Sequence, residues 1–421
     1  MKASDVSKDN VLADPYEIQL DDLGDGNIIK TATLAQEIAD LLDPQKVRAE
    51  NSVAVKPTFT LPDDPGQVKL CTNFGQFKKY FGDFSDTTTT NQNRLAHAVY
   101  GFFQNGGTRC YVARVEENEA YVTNLKKVLE EKFEAIDEIA IVAAPGLTGD
   151  EKNGPVLRDA IITHCKATED RFAIFDSPET VESGGKLDLT LLGPPNEKKF
   201  LPDNSDYAAF YFPWIKVFDP VKKTTEPTSD GQIAVPPSGH MAGIYARVDA
   251  SRGVHKAPAN EVVLGALGLQ YQLSRNQQNG LNPHGVNCIR DLNGNIRVWG
   301  ARTIGGDKNG EWRYIPVRRL FLFLRESIDE GLQWTVFEPN EPALWAKITR
   351  NVTAFLMNVW RSGALFGATP EQAFYVKCDA ETNPPEVRDL GQVVTEIGVA
   401  VVKPAEFVIF KISQWAGPSG G

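Results

Sequence analysis

The side chains that most often carry catalysis lie far apart in this sequence. Its five histidines, His97, His164, His240, His255 and His284, each stand in a separate context. A phosphate-binding P-loop needs glycines, a lysine and a hydroxyl residue at a fixed spacing, and neither Gly184–Leu187 nor Gly305–Lys308 has it. No HExxH zinc motif and no strand-following GxGxxG motif occurs. The sequence therefore predicts no catalytic site, no cofactor and no metal.

The composition argues against several further classes of protein. Fifty-five acidic residues against 44 basic ones give a net charge of −11, which argues against a nucleic-acid binder because duplex binding needs basic patches. No apolar run approaches the length of a membrane span, and the opening residues lack the apolar stretch of a secretory signal. The five dispersed cysteines form no CxxC pair, which favours reduced thiols made in a cytosol.

The first fifty residues differ from the rest of the chain. Residues 1–50 contain eleven acidic and five basic residues, with few apolar positions before Thr33. Such a segment buries little on its own. Two interpretations stay open: a disordered tail, or an arm that is ordered by a neighbouring subunit.

Strands that alternate with helices begin near Val68. A helix is predicted from Thr90 or Asn91 to the Asn105-Gly106-Gly107 stop, and others over 118–133 and 155–167. The intervening apolar runs predict strands at Cys110–Val115, Ile139–Ala143 and Arg171–Phe175. This order predicts an α/β fold with an open sheet of parallel neighbours.

The second half contains loops, a hairpin and a long helix. Residues 178–206 and 222–231 are rich in turn formers and are predicted as loops. Cys288–Gly300 is predicted as a hairpin turning at Asn293-Gly294. Asn340 is predicted to cap a long helix that ends near Gly363. Two closing strands are expected around Gln392–Val401 and Glu406–Ser413.

Several short motifs occur in a fixed order and together resemble one family. In the C-terminal half they are Pro237–Asp249, Arg252–Asn260, Val298–Thr303, Trp312–Leu320, Trp334–Asn340, Gly363–Gly367 and Lys403–Phe407. In the N-terminal half they are Phe77–Gly82, Ala98–Gly107, Arg109–Val112 and Arg171–Asp176. In this order the motifs resemble the contractile tail sheath proteins of phages and contractile injection systems, over roughly residues 68–413. One departure is the opening: family members usually start with a short "APGVYVEE"-like strand, and the acidic stretch 1–50 replaces it.

The resemblance implies a domain plan. An acidic N-terminal arm would cover 1–50, an outer open α/β domain 51–235, and a conserved sheath domain with a long helix and mixed sheet 236–405. Residues 406–421 would form an extended strand and tail. The departing N-terminus indicates a specialised sheath paralogue, near the baseplate of a multi-sheath particle.

The resemblance also implies a function. A sheath subunit polymerises around an inner tube, in hexameric layers by family analogy, and contracts to drive the tube through a target envelope. Its partners would be copies of itself or sheath paralogues, the tube protein and a baseplate, with no nucleic acid and no membrane insertion. It would assemble in a bacterial cytoplasm and belong to a phage tail or a released extracellular particle.

Two sets of residues are candidates for subunit contacts. An extended chain end adds a strand to a neighbour's sheet in this family, and the apolar, β-prone candidates here are Phe407, Val408, Ile409, Phe410, Lys411 and Ile412. An ordinary last strand of the subunit's own sheet is the competing interpretation. The candidate interface or tube charges are Arg247, Asp249, Arg252, Lys256, Arg318 and Arg319. Salt bridges within the subunit compete with that role.

Two other functions stay open at this stage. A sheath-like baseplate or tube-cap adaptor would differ from a main sheath in copy number, which the sequence does not give. An α/β enzyme with a pocket near Ser238–Lys256 would need a nucleophile beside a base, and the sequence supplies no such pair.

Overall fold

The structure is a computed structural model that describes residues 66–85, 91–115, 121–193 and 200–407. The helices α1 to α11 are, in chain order, Phe74–Phe81, Asn91–Gln104, Tyr121–Lys127, Gly154–Thr168, Pro220–Thr225, Ser238–Arg252, Arg275–Leu281, Ile315–Leu332, Pro342–Arg361, Pro370–Ala373 and Pro385–Asp389. The strands β1 to β14 are Val68–Cys71, Cys110–Ala113, Ile141–Ala143, Phe172–Asp176, Glu182–Ser183, Lys186–Leu187, Ala208–Phe212, Ile215–Phe218, Gln232–Val235, Ala266–Leu269, Val286–Leu292, Asn295–Val298, Phe374–Lys377 and Glu396–Val399. The predicted acidic arm 1–50 and residues 408–421 lie outside the described residues.

A five-stranded mixed sheet forms the centre of the fold. Its order is β12-β11-β7-β4-β3, with β3, β4, β7 and β11 parallel and β12 antiparallel to β11. Every residue of β4 and β7 is buried, as expected for parallel strands covered on both faces. The predicted α/β fold with parallel neighbours is therefore confirmed. Strands from both sides of the predicted boundary at 235/236 share this sheet, and the division into domains stays a prediction.

Each face of the sheet carries its own core because successive side chains of a strand point to opposite faces. On β4, Ala173 and Phe175 join the core under α3 and α4, whereas Phe172 and Ile174 join the core under α6. The antiparallel sheet β10-β8-β9 covers part of this second core. Full burial of an aromatic or branched aliphatic side chain stabilises the fold by about 1.5–3 kcal/mol.

Helices α2 and α6 cross closely through glycines. A Cβ atom added at Gly239 would lie 2.3 Å from the carbonyl oxygen of Ala98, and one at Gly243 would lie 2.4 Å from that of Phe102. Neither distance is possible for a real Cβ, so these glycines set the spacing of the two helices. The motif Pro237–Asp249 thus has a packing role, because it holds α2 against α6.

The tight hairpin follows the sequence prediction. Strands β11 and β12 pair in antiparallel register from Ile289↔Val298 to Leu292↔Asn295. Asn293 and Gly294 have φ values of 56° and 80°, and a two-residue turn of this kind needs positive φ at both positions.

The C-terminal unit of the fold is a helix pair with a small hairpin. Leu344, Ile348, Val352 and Leu356 line the buried face of α9 and pack against α8 and the hairpin β13–β14. The predicted cap was wrong by one residue: Glu341 holds the N-cap position. The Asn340 side chain instead accepts a bond from Trp345 Nε1 at 2.8 Å and donates to the Gln392 carbonyl at 2.8 Å.

Two predicted loops contain regular structure. Helix α5 begins at Pro220 and extends into the segment 222–231 that was predicted as loop, because Asp219 caps the backbone N–H groups of Val221 and Lys222 and Pro220 suits a first helical turn. The segment after residue 178 forms the short hairpin β5–β6, and Val181 and Leu192 are buried. Both segments are rich in turn-forming residues, so their composition did not indicate the helix α5 or the hairpin β5–β6.

Candidate assembly interface

A partly buried ion pair fixes the point where the C-terminal end leaves the body. The guanidinium of Arg302 donates to the Glu406 carboxylate from Nε at 2.9 Å and from Nη2 at 2.8 Å. Asn282 Nδ2 and the Tyr314 hydroxyl also donate to this carboxylate, at 3.0 and 3.1 Å. Two parallel bonds of this kind fix orientation as well as position. The chain therefore returns from β14 to the central body before residue 407.

The next residue points outward. Phe407 is 63% exposed although it is a large apolar side chain. It is the first residue of the predicted intersubunit strand, and the remaining candidates, Val408, Ile409, Phe410, Lys411 and Ile412, lie outside the described residues.

A second feature is the hairpin β13–β14. The two strands pair from Phe374↔Val399 to Lys377↔Glu396, and within the described part of the chain this sheet has two strands. The Ala400 amide donates to the Ala373 carbonyl, so these two residues form a hydrogen-bonded pair. Hydrogen-bonded and non-hydrogen-bonded pairs alternate along an antiparallel ladder. Val376 and Ile397 therefore form a non-bonded pair, and their backbone N–H and C=O groups point away from the partner strand. Both edges therefore present backbone groups to which a third strand can bond.

The C-terminal part of the fold also carries exposed apolar side chains. Phe337, between α8 and α9, is fully exposed at 102% and has a φ of 68°. Positive φ is a strained conformation for an aromatic residue. Phe366, next to the hairpin, and Tyr375, on β13, are also exposed. Apolar patches on a soluble protein mark interaction surfaces when they are contiguous.

The predicted interface charges are mostly bonded within the chain. Arg319 is buried, donates two bonds to Asp249 at 2.9 and 2.6 Å, and lies 4.8 Å from the centroid of the Tyr245 ring. The Arg319–Asp249 pair joins α8 to α6. Burial opposes the charge of Arg319, but Asp249 outweighs it and the pKa of this guanidinium is raised.

Arg318 points to another part of the body. It bonds to Asp206 and lies between the rings of Tyr207 and Trp312, with its central carbon 4.6 and 3.6 Å from their centroids. A guanidinium held between two rings is fixed in place.

The remaining candidates lie near the end of α6. Arg247 donates to the carbonyl oxygens of Asn105 and Val262 at 3.0 and 2.9 Å, and Lys256 donates to that of Ala257 at 2.6 Å. Arg252 is exposed. Their role between subunits stays a prediction.

The sequence reasoning missed a buried polar cluster under α6. The Asp176 carboxylate accepts bonds from the Ser238 hydroxyl at 2.7 Å, the Ser238 amide at 2.7 Å and the Gly146 amide at 3.0 Å. Burial raises the pKa of Asp176 to about 6 despite these bonds. Both Asp176 and Ser238 are fully buried, so a substrate cannot reach them. The cluster ties β4 to the start of α6, and only the Pro-Ser pair at the helix start gave a signal for it.

Two buried histidines lie near the same helix. His97 Nε2 is 3.3 Å from the Asp219 carboxylate, which also accepts a bond from Asn93. His240 packs against Gly101, and burial lowers its pKa to about 3. His240 Nδ1 has no hydrogen-bond partner among the described residues. The His97 ring thus faces Asp219 and Phe84, whereas the His240 ring lies between α6 and α2.

The described residues contain neither a metal site nor a membrane-spanning helix. No group of three or more His, Cys, Asp and Glu side chains there is arranged to hold a metal ion. No helix in that part of the chain is long and apolar enough to cross a bilayer.

Comparison with known proteins gives one family over most of the chain. The family model for the phage tail sheath protein central domain matches residues 116–304, and that for the phage tail sheath C-terminal domain matches residues 307–414. A tail sheath protein of Burkholderia phage BcepMu is 26% identical over 216 residues, which cover 49% of this chain and 43% of that protein. A tail sheath protein of Vibrio phage KVP40 is 27% identical over 42% of this chain and 25% of its own length. The matches thus span less than half of these curated relatives.

Solved structures of similar fold come from extracellular particles. The chain resembles a protein in the six-fold symmetrised anti-feeding prophage (AFP) baseplate with a TM-score of 0.69 and 29% identity, over 85% of this chain and 90% of the other. It resembles one in the contracted sheath complex of the PVC extracellular contractile injection system with a TM-score of 0.68 and 29% identity, over 86% and 90%. Because the two sheath family models together cover more than half of the sequence, this chain belongs to the phage tail sheath family, whose members are structural proteins and not enzymes.

Proposed function

We propose that this chain is a subunit of a contractile sheath that polymerises around an inner tube and contracts to drive the tube through a target envelope. The observation that carries the proposal is the combination of an anchored C-terminal end and a two-stranded sheet with free edges. Residue 406 is held by Arg302, and the β-prone residues 407–412 follow it directly. The hairpin β13–β14 of another copy is the proposed acceptor.

Strand addition suits a sheath for a physical reason. A donated strand makes many backbone hydrogen bonds while the chain on either side stays free to reorient. The acceptor hairpin and the donor residues are different parts of the chain, so the contact is heterologous and propagates instead of closing on itself. Subunits joined in this way rotate as rigid bodies when the lattice changes from extended to contracted.

The partners follow from this assembly. They are further copies of this chain or sheath paralogues in hexameric layers, an inner tube protein and a baseplate. Arg252, the exposed member of the predicted charge set, is the candidate for a register-fixing contact between subunits or with the tube. Assembly takes place in a bacterial cytoplasm, and contraction needs no nucleotide because the extended lattice is metastable. The domain plan with arms at 1–50 and 406–421 belongs to the same proposal.

A second candidate is a sheath-like adaptor at the baseplate. The similarity to a protein in the AFP baseplate structure, at a TM-score of 0.69, favours it. An adaptor would form one layer at the end of the tube, whereas a main sheath would form many layers.

Electron microscopy of the purified chain over a series of concentrations separates the two functions. A sheath gives tubes or stacked rings whose mean length grows with concentration. An adaptor gives single rings of constant size. A chain that stays monomeric at every concentration, and also in the presence of preformed tube, contradicts both.

A further inference from the structure

Two of the five cysteines lie directly opposite each other in a strand pair. Cys71 ends β1 and Cys110 begins β2, and the antiparallel register pairs these two residues. All five cysteines are free thiols in the structure. This pair is separated by 38 residues in sequence, so the contact results from the fold.

The geometry of the pair matches that of a disulfide. Residues opposite each other in an antiparallel pair have Cα atoms about 4.5–5.5 Å apart, within the range of about 4.4–6.8 Å that disulfides span. Opposite side chains also point to the same face of the sheet. Both sulfurs contact one small core that contains Phe77, Phe81 and Val112, which holds them on that face.

The two thiols interact and differ in access. A hydrogen bond from Cys110 lowers the pKa of Cys71, and the same bond, together with burial, raises the pKa of Cys110. Loss of one proton therefore leaves a thiolate that the other S–H stabilises. Cys71 is fully buried, whereas Cys110 is partly exposed, so Cys110 is the sulfur that an external reagent reaches.

Two of the other cysteines, Cys165 and Cys288, are fully buried and out of reach of any reagent. Burial raises the pKa of Cys165 and of Cys288 to about 12, so both are thiols at neutral pH. Each is fully buried in the main core. Since the thiolate is the reactive form, these two residues are inert internal references.

We propose that Cys71 and Cys110 form a thiol–disulfide exchange site, which closes to an intramolecular disulfide when the chain meets a small-molecule disulfide such as oxidised glutathione. Once Cys71 is deprotonated, its thiolate takes the proton of Cys110 while the Cys110 sulfur attacks one sulfur of the reagent, which releases one glutathione thiolate and forms a mixed disulfide. The Cys71 thiol then passes this proton to the released glutathione thiolate, and its sulfur attacks the Cys110 sulfur and releases the second glutathione. The protein dithiol loses two electrons and two protons, and two molecules of reduced glutathione gain them.

The bond has a structural consequence whether or not the chain assembles. It closes a loop that contains α1 and α2, and α2 packs on α6 through the glycine contacts at Gly239 and Gly243. A cross-link of this length removes conformational freedom from the unfolded chain. The two thiols would stay reduced in a cytosol, and the disulfide would form outside the cell, where oxidising conditions persist.

The test uses the full chain equilibrated with oxidised and reduced glutathione at a ratio that forms structural disulfides. Remaining thiols are alkylated after unfolding, and the protein is examined by intact mass and peptide mapping. We expect two unalkylated cysteines, a cross-linked peptide containing Cys71 and Cys110, and a melting temperature higher by roughly 5 °C. The matched control Cys378→Ser changes another buried cysteine and should leave the cross-link and the shift intact.

Three results would overturn the proposal. One is alkylation of all five cysteines in the wild-type chain. Another is a cross-link between two chains through Cys110. The third is a melting-temperature shift that persists in Cys110→Ser, which retains the small size of the side chain and lacks the sulfur. Because the first readout is made on the wild-type chain, a variant that folds poorly leaves the test decisive.

Discussion

At the scale of single residues, Glu406 is the side chain on which the path of the C-terminal end depends. Arg302, whose side chain is 5% exposed, bonds to this carboxylate and to Asp307 at 3.0 Å. Burial by itself would lower the pKa of Arg302, but the bonds to Glu406 outweigh it and raise the pKa. The guanidinium would lose its best partner if the carboxylate were removed.

Replacing Glu406→Gln should therefore lower the free energy of unfolding by about 2–3 kcal/mol, because a charge-assisted bond is lost while Asp307 still pairs with Arg302. Urea unfolding of the purified monomer measures it. Glu381→Gln is the matched control: this carboxylate is 79% exposed and bonds to Lys377, so its loss should cost less than about 0.5 kcal/mol. Equal losses in the two variants would contradict the anchoring role of Glu406.

His240 should make the chain sensitive to acid. The folded chain keeps this ring neutral down to about pH 3, whereas the ring in the unfolded chain takes up a proton near pH 6.5. The unfolded state therefore binds more protons between these values, and stability falls as the pH is lowered through them. Asp176 acts in the opposite direction: its pKa is raised to about 6, so the folded state binds a proton first and ionisation costs stability as the pH rises from 3.8 to 6.

Comparison with His240→Leu isolates the histidine, because the contribution of Asp176 is common to both proteins. Between pH 7 and pH 4.5 the wild-type chain should lose roughly 2–3 kcal/mol more unfolding free energy than the variant. Urea midpoints at several pH values measure this. Parallel pH profiles for the two proteins would rule out a buried neutral His240.

The sequence was a better guide to which residues are important than to what those residues contact. Arg319 and Asp249 were both selected as interface charges, and the structure joins them to each other inside the subunit. Residues 70 positions apart in sequence give no sign that their side chains meet. The motif Lys403–Phe407 was recognised, but the role of its glutamate needs the positions of Arg302 and Tyr314.

At the scale of elements, the α2–α6 crossing depends on glycine. Gly243→Ala would place a methyl group against the backbone of Phe102 and should cost about 1–3 kcal/mol of unfolding free energy, because a backbone oxygen cannot move aside like a flexible side chain. Gly331→Ala on α8 is the matched control. Nothing lies within 4 Å of its added Cβ, so it should stabilise the chain by about 0.4–1 kcal/mol. Thermal unfolding of both variants checks this, and equal effects would show that the crossing is loose.

The edges of the hairpin β13–β14 give a second test at this scale. Val376→Pro and Ile397→Pro each remove one outward-pointing N–H, from opposite edges, and leave the ladder bonds between the two strands in place. A donated strand uses one edge, so one variant should lose assembly while the other retains it. Electron microscopy scores assembly, and monomer melting temperatures show that each variant is folded. Assembly of both variants would contradict strand addition at this hairpin.

Sequence patterns predicted helices, strands and turns correctly where the local signal was strong, and failed where tertiary contacts set the structure. Asn293-Gly294 specified its turn because few other residue pairs adopt positive φ twice. Asn340 carries an equally good cap signal, yet its side chain bonds to Trp345 and to the Gln392 carbonyl and does not cap the helix. Strands β3 and β4 were recognised by their apolar runs, but the order of the strands in the sheet was not readable.

At the scale of the whole molecule, the fold class followed from strands that alternate with helices, and the family followed from several short motifs that occur in a fixed order. The surfaces that join subunits are different. Exposed edges and exposed aromatic residues such as Phe337 have no sequence period, and their use depends on a partner. The acidic residues 1–50 have no counterpart in the family pattern, so the sequence left their role open between a tail and an arm.

The most direct test of the central claim compares three chains by electron microscopy: the full chain, a chain lacking 407–421, and a control chain lacking 415–421 that keeps the predicted strand. We expect tubes or stacked rings from the full chain and the control. The chain that ends at Glu406 should stay monomeric, with an unchanged melting temperature, because its anchor remains. Tubes from the chain that lacks 407–421 would contradict donation of the C-terminal strand, and monodisperse monomers from all three would contradict self-assembly as a sheath.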